Sequence, residues 1–312
     1  SLIEPGARLL IVRACRFGML LSDIAERLGA AIRTLDLAWG PVATLEPTEA
    51  ALAEHKPAIF ATIHGDTSTT TAQPLDGVGA LCHQYGALSY VDATATLGGM
   101  PVKTDEWGID IVTGGLQKCM GGPPGSAPIT VSDRAAEFIF SRRKVESGIK
   151  RDDISDGTRP FIRSNYFDLA MIMDYWSEKR LNHHTEATSM LYAARECARV
   201  MLEEGLEARF ARHAAAGAAM TAGLRALGLT VYGQDAYRMS NVTGVYVPQD
   251  VDGERVRHRM REEYQIEIGT AFGTTAGKIW RIGAMGYNAE LNKVRITLAA
   301  LKEVLASERN GF

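Results

Sequence analysis

The chain has 312 residues, of which 46% are apolar and 23% charged, with a formal net charge of −3. That length buries a substantial core, in one large or two ordinary domains, and the slight acidic surplus excludes a general nucleic-acid binder, which carries basic excess. No apolar run is long enough to span a bilayer, and Cys15, Cys82, Cys119 and Cys197 are scattered without a CxxC pair, so the expectation is a soluble cytoplasmic protein with reduced thiols and no zinc site.

From Arg8 onward, strand-like apolar runs alternate with amphipathic helical ones, the pattern of an α/β protein with a mostly parallel central sheet. LLIV at residues 9–12 reads as the first strand. Gly18 to Gly29 reads as a helix, with Leu21, Ile24, Ala25 and Leu28 at helical spacing and a glycine stop. AIRTLDL is a second strand, and PTEAALAEH a helix opened by proline and acids. AIFATIHGD, ALSYVDA and DIVTGG follow as strands, with PLDGVGALCHQYG as the helix between the first two. Short joints between repeated strand and helix units predict a sheet covered on both faces.

The middle of the chain is less regular. RRKVESGIKRDDISDGTRP reads as a helix end and a solvated loop of mixed charge, and SNYFDLAMIMDYWSEKRLNHHTEAT is dense in aromatic and polar groups. A helix is expected from Ala187 to about Glu204, with Leu191, Ala194 and Ala198 inward. Helices from about Ala208 to Leu227, Gly253 to Tyr264 and Asn292 to Leu305 then share the last hundred residues with short strands in LTVYG, NVTGVYVP, IEIG and KIWRIG. That mixture predicts a smaller α+β domain over 206–312, after a large domain over 1–205. The chain opens at Ser1 directly on folded-looking sequence, from which further residues upstream are expected.

The most informative stretch is TGGLQKCMGGPPGSAPITVSD, from Thr113 to Asp133. Lys118 sits there in a glycine-rich turn between two strand-like runs, and glycines 114, 115, 121 and 122 let the backbone bend closely around a bound group. A lysine facing a cleft loses water, which favours the neutral, nucleophilic amine. Asp92 ends the strand LSYVD, and in an open α/β sheet ligands gather outside the carboxyl ends of strands, so both side chains can meet over one crevice. A carboxylate and a reactive lysine over one cleft suit pyridoxal 5′-phosphate (PLP): the lysine forms a Schiff base, and the aspartate keeps the pyridine nitrogen protonated. Arg281, in the apolar run WRIG, needs a carboxylate partner, because an unpaired buried guanidinium is costly. His183 and His184 are adjacent without a third nearby ligand, which favours structural hydrogen bonding over metal.

The runs HGDTSTTTAQPLDGVGALCHQYGALSYVDATATLGGMPVKTDEWGIDIVTGGLQKCMGGPPGSAPITVSD and GKIWRIGAMGYNA resemble the class V, fold type I, PLP-dependent aminotransferases. Within that family, SNYFDLAMIMDYWSEKRLNHHTEAT is most similar to the (S)-ureidoglycine–glyoxylate aminotransferases of purine catabolism. The resemblance implies transfer of an amino group from (S)-ureidoglycine to glyoxylate. Serine– or alanine–glyoxylate transamination is the alternative within the family, and a non-catalytic interaction protein the alternative outside it. It also implies roles residue by residue. Lys118, preceded by Gln117, is the lysine that binds the cofactor and moves the substrate proton. Asp92 is the pyridinium partner, Phe17 in CRFG stacks on the ring where relatives often have tryptophan, Thr94 touches its other face, and Thr67 bonds near its hydroxyl. Arg281 grips the substrate α-carboxylate with a planar fork. Asn182, where relatives often have tyrosine, offers a donor and an acceptor to a ureido group, and Thr185 contacts the cofactor phosphate of a partner subunit, so a homodimer is implied. The family's phosphate-binding turn, which belongs before the first strand, has no counterpart in the sequence, and an omitted upstream segment is the expectation.

Overall fold

A computed structural model describes residues 1–310. In chain order it comprises β1 (Arg8–Arg13), α1 (Arg16–Arg27), β2 (Ala31–Asp36), α2 (Leu45–His55), β3 (Ile59–Ile63), β4 (Gly65–Asp66), β5 (Thr71–Ala72), α3 (Val78–Gln84), β6 (Leu88–Asp92), β7 (Ile111–Thr113) and β8 (Ile129–Val131). Then come α4 (Asp133–Phe140), α5 (Leu169–Trp176), α6 (Thr188–Glu204), α7 (Leu206–Ala226), β9 (Val242–Tyr246), α8 (Gly253–Tyr264), β10 (Gly269–Thr270), β11 (Ile279–Gly283) and α9 (Leu291–Arg309).

The main sheet has the order β2-β1-β3-β6-β7-β8. Its first five strands are parallel, and β8 closes the edge antiparallel to β7. Alternation along each strand sends side chains to opposite faces, and both faces are apolar here. Leu10 and Val12 pack with Phe60, Val91 and Val112 beneath α2 and α3. Leu9 and Ile11 point the other way, to Ala25 of α1 and to Ile59 and Ala61, while Leu88 and Ile111 meet Ala135 and Ile139 of α4 and Ala170 of α5. Each such buried aliphatic side chain contributes roughly 1.5–3 kcal/mol. At Gly79 of α3 a Cβ would lie 2.1 Å from the Trp107 carbonyl oxygen, so only glycine allows that helix its close approach.

A second core gathers Met220 and Leu224 of α7, Val256 and Met260 of α8, and Leu301 and Val304 of α9 around Val245, Trp280 and Ile282. The strands there form an antiparallel sheet in the order β10-β11-β9. Helices α6 and α7 meet at Gly205, whose φ of +82° breaks the helical path.

Several expectations are corrected at the level of side chains. In α1 the buried residues are Gly18, Ser22 and Ala25, while Ile24 and Leu28 are exposed. In α6 the buried stripe is Cys197 and Met201, and Ala198 faces out; periodicity finds a helix but a run of alanines does not fix its rotation. The third strand stops at Ile63, and Gly65–Asp66 turn off to pair with Thr71–Ala72 in a separate hairpin. LTVYG contributes one isolated bridge, Val231 to Val245, and no strand. The stretch after α4 is not uniformly solvated. Arg142 is 1% exposed, with Nε donating to the Pro160 carbonyl at 3.0 Å and Nη1 to that of Ser1 at 2.5 Å, and Val145, Ile154 and Leu181 form a small core beside it. A charged run carries no sequence signal for one arginine that turns inward to satisfy backbone carbonyls.

Candidate active site

The parallel strands β6 and β7 end in register, Asp92 beside Thr113, and the lysine turn leaves β7 five residues before Lys118. The turn opens with a π-helical segment, Leu116–Met120, interrupted at Lys118 by φ −109° and ψ −122° and closed by Gly121 in the left-handed conformation. Lys118 is half-buried, and its Nζ makes no hydrogen bond or ion pair among the described residues. Asp92 is also half-buried; Oδ1 accepts from the Thr94 N–H at 2.8 Å, which leaves Oδ2 without a partner among the described residues. Thr94 packs over Gly115, where a Cβ would lie 2.9 Å from its Cγ2. Gln117 is exposed, with its amide oxygen folded back toward Gly115. The neighbouring Cys119 is fully buried. Burial pushes its thiol up to about 11, and its Sγ accepts from Asn241 Nδ2 at 2.8 Å, so it is a packing residue and not a second nucleophile.

The hairpin of residues 64–73, between β3 and α3, links the end of β6 to α1 and β11. Its His64 N–H donates to the Asp92 carbonyl at 2.9 Å, and Ser68 Oγ accepts from the backbone N–H of Arg16 at 3.3 Å, next to Phe17 at the start of α1. The Thr70 carbonyl accepts from the Met239 N–H at 3.1 Å. The Thr67 carbonyl accepts from Arg281 Nη1 at 2.6 Å. The turn is shaped from within by Asp66, whose Oδ2 accepts from Ser68 Oγ, the Thr69 N–H and Thr69 Oγ1 at 2.5–2.7 Å. Thr70 holds φ +56°, a conformation that costs a β-branched residue about 1–3 kcal/mol.

Arg281 lies on β11. Its Nε donates to the Thr270 carbonyl at 2.7 Å, and the guanidinium stands 4.8 Å from the Phe272 ring centroid, which also takes Arg16 at 4.4 Å. No carboxylate of the described residues pairs with Arg281, and Nη2 has no hydrogen-bond partner among them. Burial lowers its pKa, and the Asp66 carboxylate opposes that shift; arginine stays charged throughout. The structure thus answers the expected carboxylate partner with two backbone carbonyls and one unused face of the fork.

Phe17 is half-buried near the start of α1, with the Arg16 guanidinium 5.4 Å from its ring centroid, and the Thr67 hydroxyl, on a residue 5% exposed, is without a partner among the described residues. Asn182 and Thr185 are exposed, and no hydrogen bond or ion pair joins either to Lys118, Asp92 or Arg281. Between them, His183 and His184 approach through Nδ1 at 2.7 Å, and His183 Nε2 meets the Asn165 carbonyl at 2.7 Å. Sequence reasoning missed Asp66, Arg16 and Phe272. The first had a signal, an acid followed by hydroxyl residues in GDTST; the other two acquire meaning only when the sheets assemble.

His64 is buried, with Nδ1 2.8 Å from Thr96 Oγ1 and its ring edge-on to Trp107. Burial alone lowers its pKa from 6.5 to about 4. Between those values the unfolded chain binds the proton and the folded one does not, so this contribution to stability is complete above pH 6.5 and is lost as the pH falls toward 4. Urea unfolding across that window is expected to show a pH slope that His64→Gln reduces; an equal slope in both proteins would remove His64 as its source.

The class-V aminotransferase family model matches residues 4–300. An (S)-ureidoglycine–glyoxylate transaminase of Bacillus subtilis is 50% identical over 100% of this chain and 76% of its own length. An alanine–glyoxylate aminotransferase of Callithrix jacchus is 37% identical over 98% of this chain and 71% of its own. Among solved structures, the Bacillus subtilis ureidoglycine–glyoxylate aminotransferase superposes with a TM-score of 0.92 at 47% identity, covering 100% of this chain and 76% of that one. The sheet order, the lysine turn after β7 and these matches together make the chain a member of the class-V aminotransferase family, with the fold type I architecture.

Proposed function

We propose that the protein transfers the amino group of (S)-ureidoglycine to glyoxylate, giving glycine and an oxo-acid, with PLP as cofactor. What supports the reading is three polar groups without a partner among the described residues, the Lys118 amine, Asp92 Oδ2 and Arg281 Nη2; the first two stand at or just after the adjacent strand ends of β7 and β6, and the hairpin of residues 64–73 bonds to both Asp92 and Arg281. The donor set fits PLP, with an amine for its aldehyde, a carboxylate oxygen for its ring nitrogen and the Thr67 hydroxyl for its ring oxygen. When bound, PLP supplies a ring that draws off the electron pair released at the substrate Cα.

The protein's own groups do the rest. Lys118 would hold the cofactor by its aldehyde and take the proton from the substrate Cα. Asp92 keeps a proton on the ring nitrogen. Phe17 and Thr94 cover the two ring faces, with Gln117 beside the lysine, and Arg281 orients the substrate by its α-carboxylate. Residues 1–205 carry the cofactor and residues 206–312 the carboxylate fork. Asn182 and Thr185, exposed and without a bond to Lys118, Asp92 or Arg281 of their own chain, serve the site of a second copy in a homodimer, Asn182 facing the ureido group and Thr185 the cofactor phosphate. Large exposed apolar side chains on α6, Tyr192 at 73% and Leu202 at 76%, are suited to such an interface.

The test is a donor panel with glyoxylate as acceptor. Glycine should form from ureidoglycine at a rate well above that from serine or alanine. Turnover with serine or alanine and none with ureidoglycine would transfer the assignment to the alternative within the family.

A further inference from the structure

Against the lysine turn lies a partly buried ionic cluster that the reaction as described does not use. Arg209, on the first turn of α7, is 3% exposed and spends its three nitrogens on three different parts of the chain. Nε donates to the Gly98 carbonyl at 2.8 Å, Nη2 to the Cys119 carbonyl at 2.6 Å and Nη1 to Glu204 Oε2 at 2.6 Å. Glu204 is shared: its Oε1 accepts from Arg212 Nε at 2.5 Å and its Oε2 from Arg212 Nη2 at 3.0 Å. Arg212 Nη1 in turn donates to the Gly286 and Ala289 carbonyls, both at 2.9 Å. His213 completes the joint, with Nε2 accepting from the Gly286 N–H at 3.0 Å and Nδ1 against the Arg209 carbonyl at 2.8 Å.

The two ends of this cluster are the two halves of the site. Cys119 follows Lys118 directly, and Gly286 lies three residues beyond the end of β11, the strand that carries Arg281. The turns also touch, since a Cβ at Gly286 would lie 3.4 Å from the carbonyl oxygens of both Lys118 and Cys119. The break at Lys118 interrupts regular helical bonding, so a side chain rather than a helical ladder fixes the direction of the Cys119 carbonyl. A guanidinium suits that task because its donors are set in one plane; a lysine ammonium reaches one carbonyl at a time.

We propose that Arg209 is a positioning residue of the reaction: by holding the Cys119 carbonyl, and through Glu204 and Arg212 the Gly286 turn, it fixes Lys118 relative to Arg281. The inference rests on Lys118 being the residue that holds the cofactor, and is independent of which amino donor is used. It is tested with Arg209→Met and Arg209→Lys by three measurements: the rate at which Lys118 captures added PLP, trapped with borohydride and located by mass; kcat and KM for the amino donor; and the melting temperature.

Capture and kcat are expected to fall together by about tenfold in Arg209→Met, roughly the effect of one charged hydrogen bond, with partial recovery in Arg209→Lys. A folded variant with the wild-type capture rate and wild-type kcat overturns the proposal, whatever its melting temperature. If Arg209→Met does not fold, Arg209→Lys decides alone: slowed capture with lowered kcat supports the assignment, and unchanged values overturn it. Failure of the wild-type protein to carry the borohydride tag at Lys118 strikes the proposed function instead, and ureidoglycine failing as donor leaves the capture measurement intact.

Discussion

Lys118→Arg is expected to lower transamination by about a thousandfold or more, within the range that a positioned acid–base group contributes, and to abolish borohydride tagging. Arginine keeps the positive charge and much of the bulk of a half-buried side chain, so the turn and its Gly121 closure should survive and the melting temperature should change little. Two functions are lost at once. The guanidinium is a poor nucleophile toward an aldehyde, and it does not give up a proton at working pH, so neither attachment of the cofactor nor proton movement at the substrate Cα remains. Since Lys118 Nζ has no partner among the described residues, no structural ion pair confuses the comparison. Turnover within tenfold of wild type would sink the assignment.

The second large effect is expected at Arg281. Arg281→Lys should raise KM for both the amino donor and the oxo acid by about a hundredfold, since a charged, bidentate contact of roughly 1.5–3 kcal/mol is replaced by a point charge. The effect should appear with every α-carboxylate substrate alike, because it acts on the group they share. Thr67 and Thr270 would each lose a donor to their carbonyls, so some loss of stability is expected too, and a paired measurement of melting temperature separates the two. A KM unchanged for both substrates would show that the carboxylate binds elsewhere.

Much of this was legible in the sequence, and the reasons differ by level. The parallel sheet follows from apolar runs at strand spacing, and β1, β2, β6 and β11 stand close to where those runs lie. The positions of Lys118 and Asp92 follow from a topological rule, since Asp92 closes β6 and Lys118 lies in the turn that leaves the carboxyl end of β7. Rotations of helices such as α1 and α6 did not follow, because alanine and leucine are tolerated on either side of a half-buried helix. The strand expected in AIFATIHGD runs past the true end of β3 at Ile63, because apolar spacing does not mark where a strand turns off; what bends the chain after it is the Asp66 carboxylate collecting three donors. Arg142 and Arg209 were invisible for a common reason. Each answers backbone carbonyls far away in the chain, and carbonyls leave no trace in a sequence.

The anchoring of Arg281 on two main-chain carbonyls bears on how small a substrate the site can hold. A two-carbon oxo acid offers few atoms, and each contributes at most about 1.5 kcal/mol, so little can be spent on ordering a floppy side chain. Here the long arginine rotamer is already frozen before any ligand arrives, with Thr67 and Thr270 at one side and Phe272 at its face. The entropy of immobilising it is charged to folding and not to binding, so most of the carboxylate interaction is left to appear as affinity.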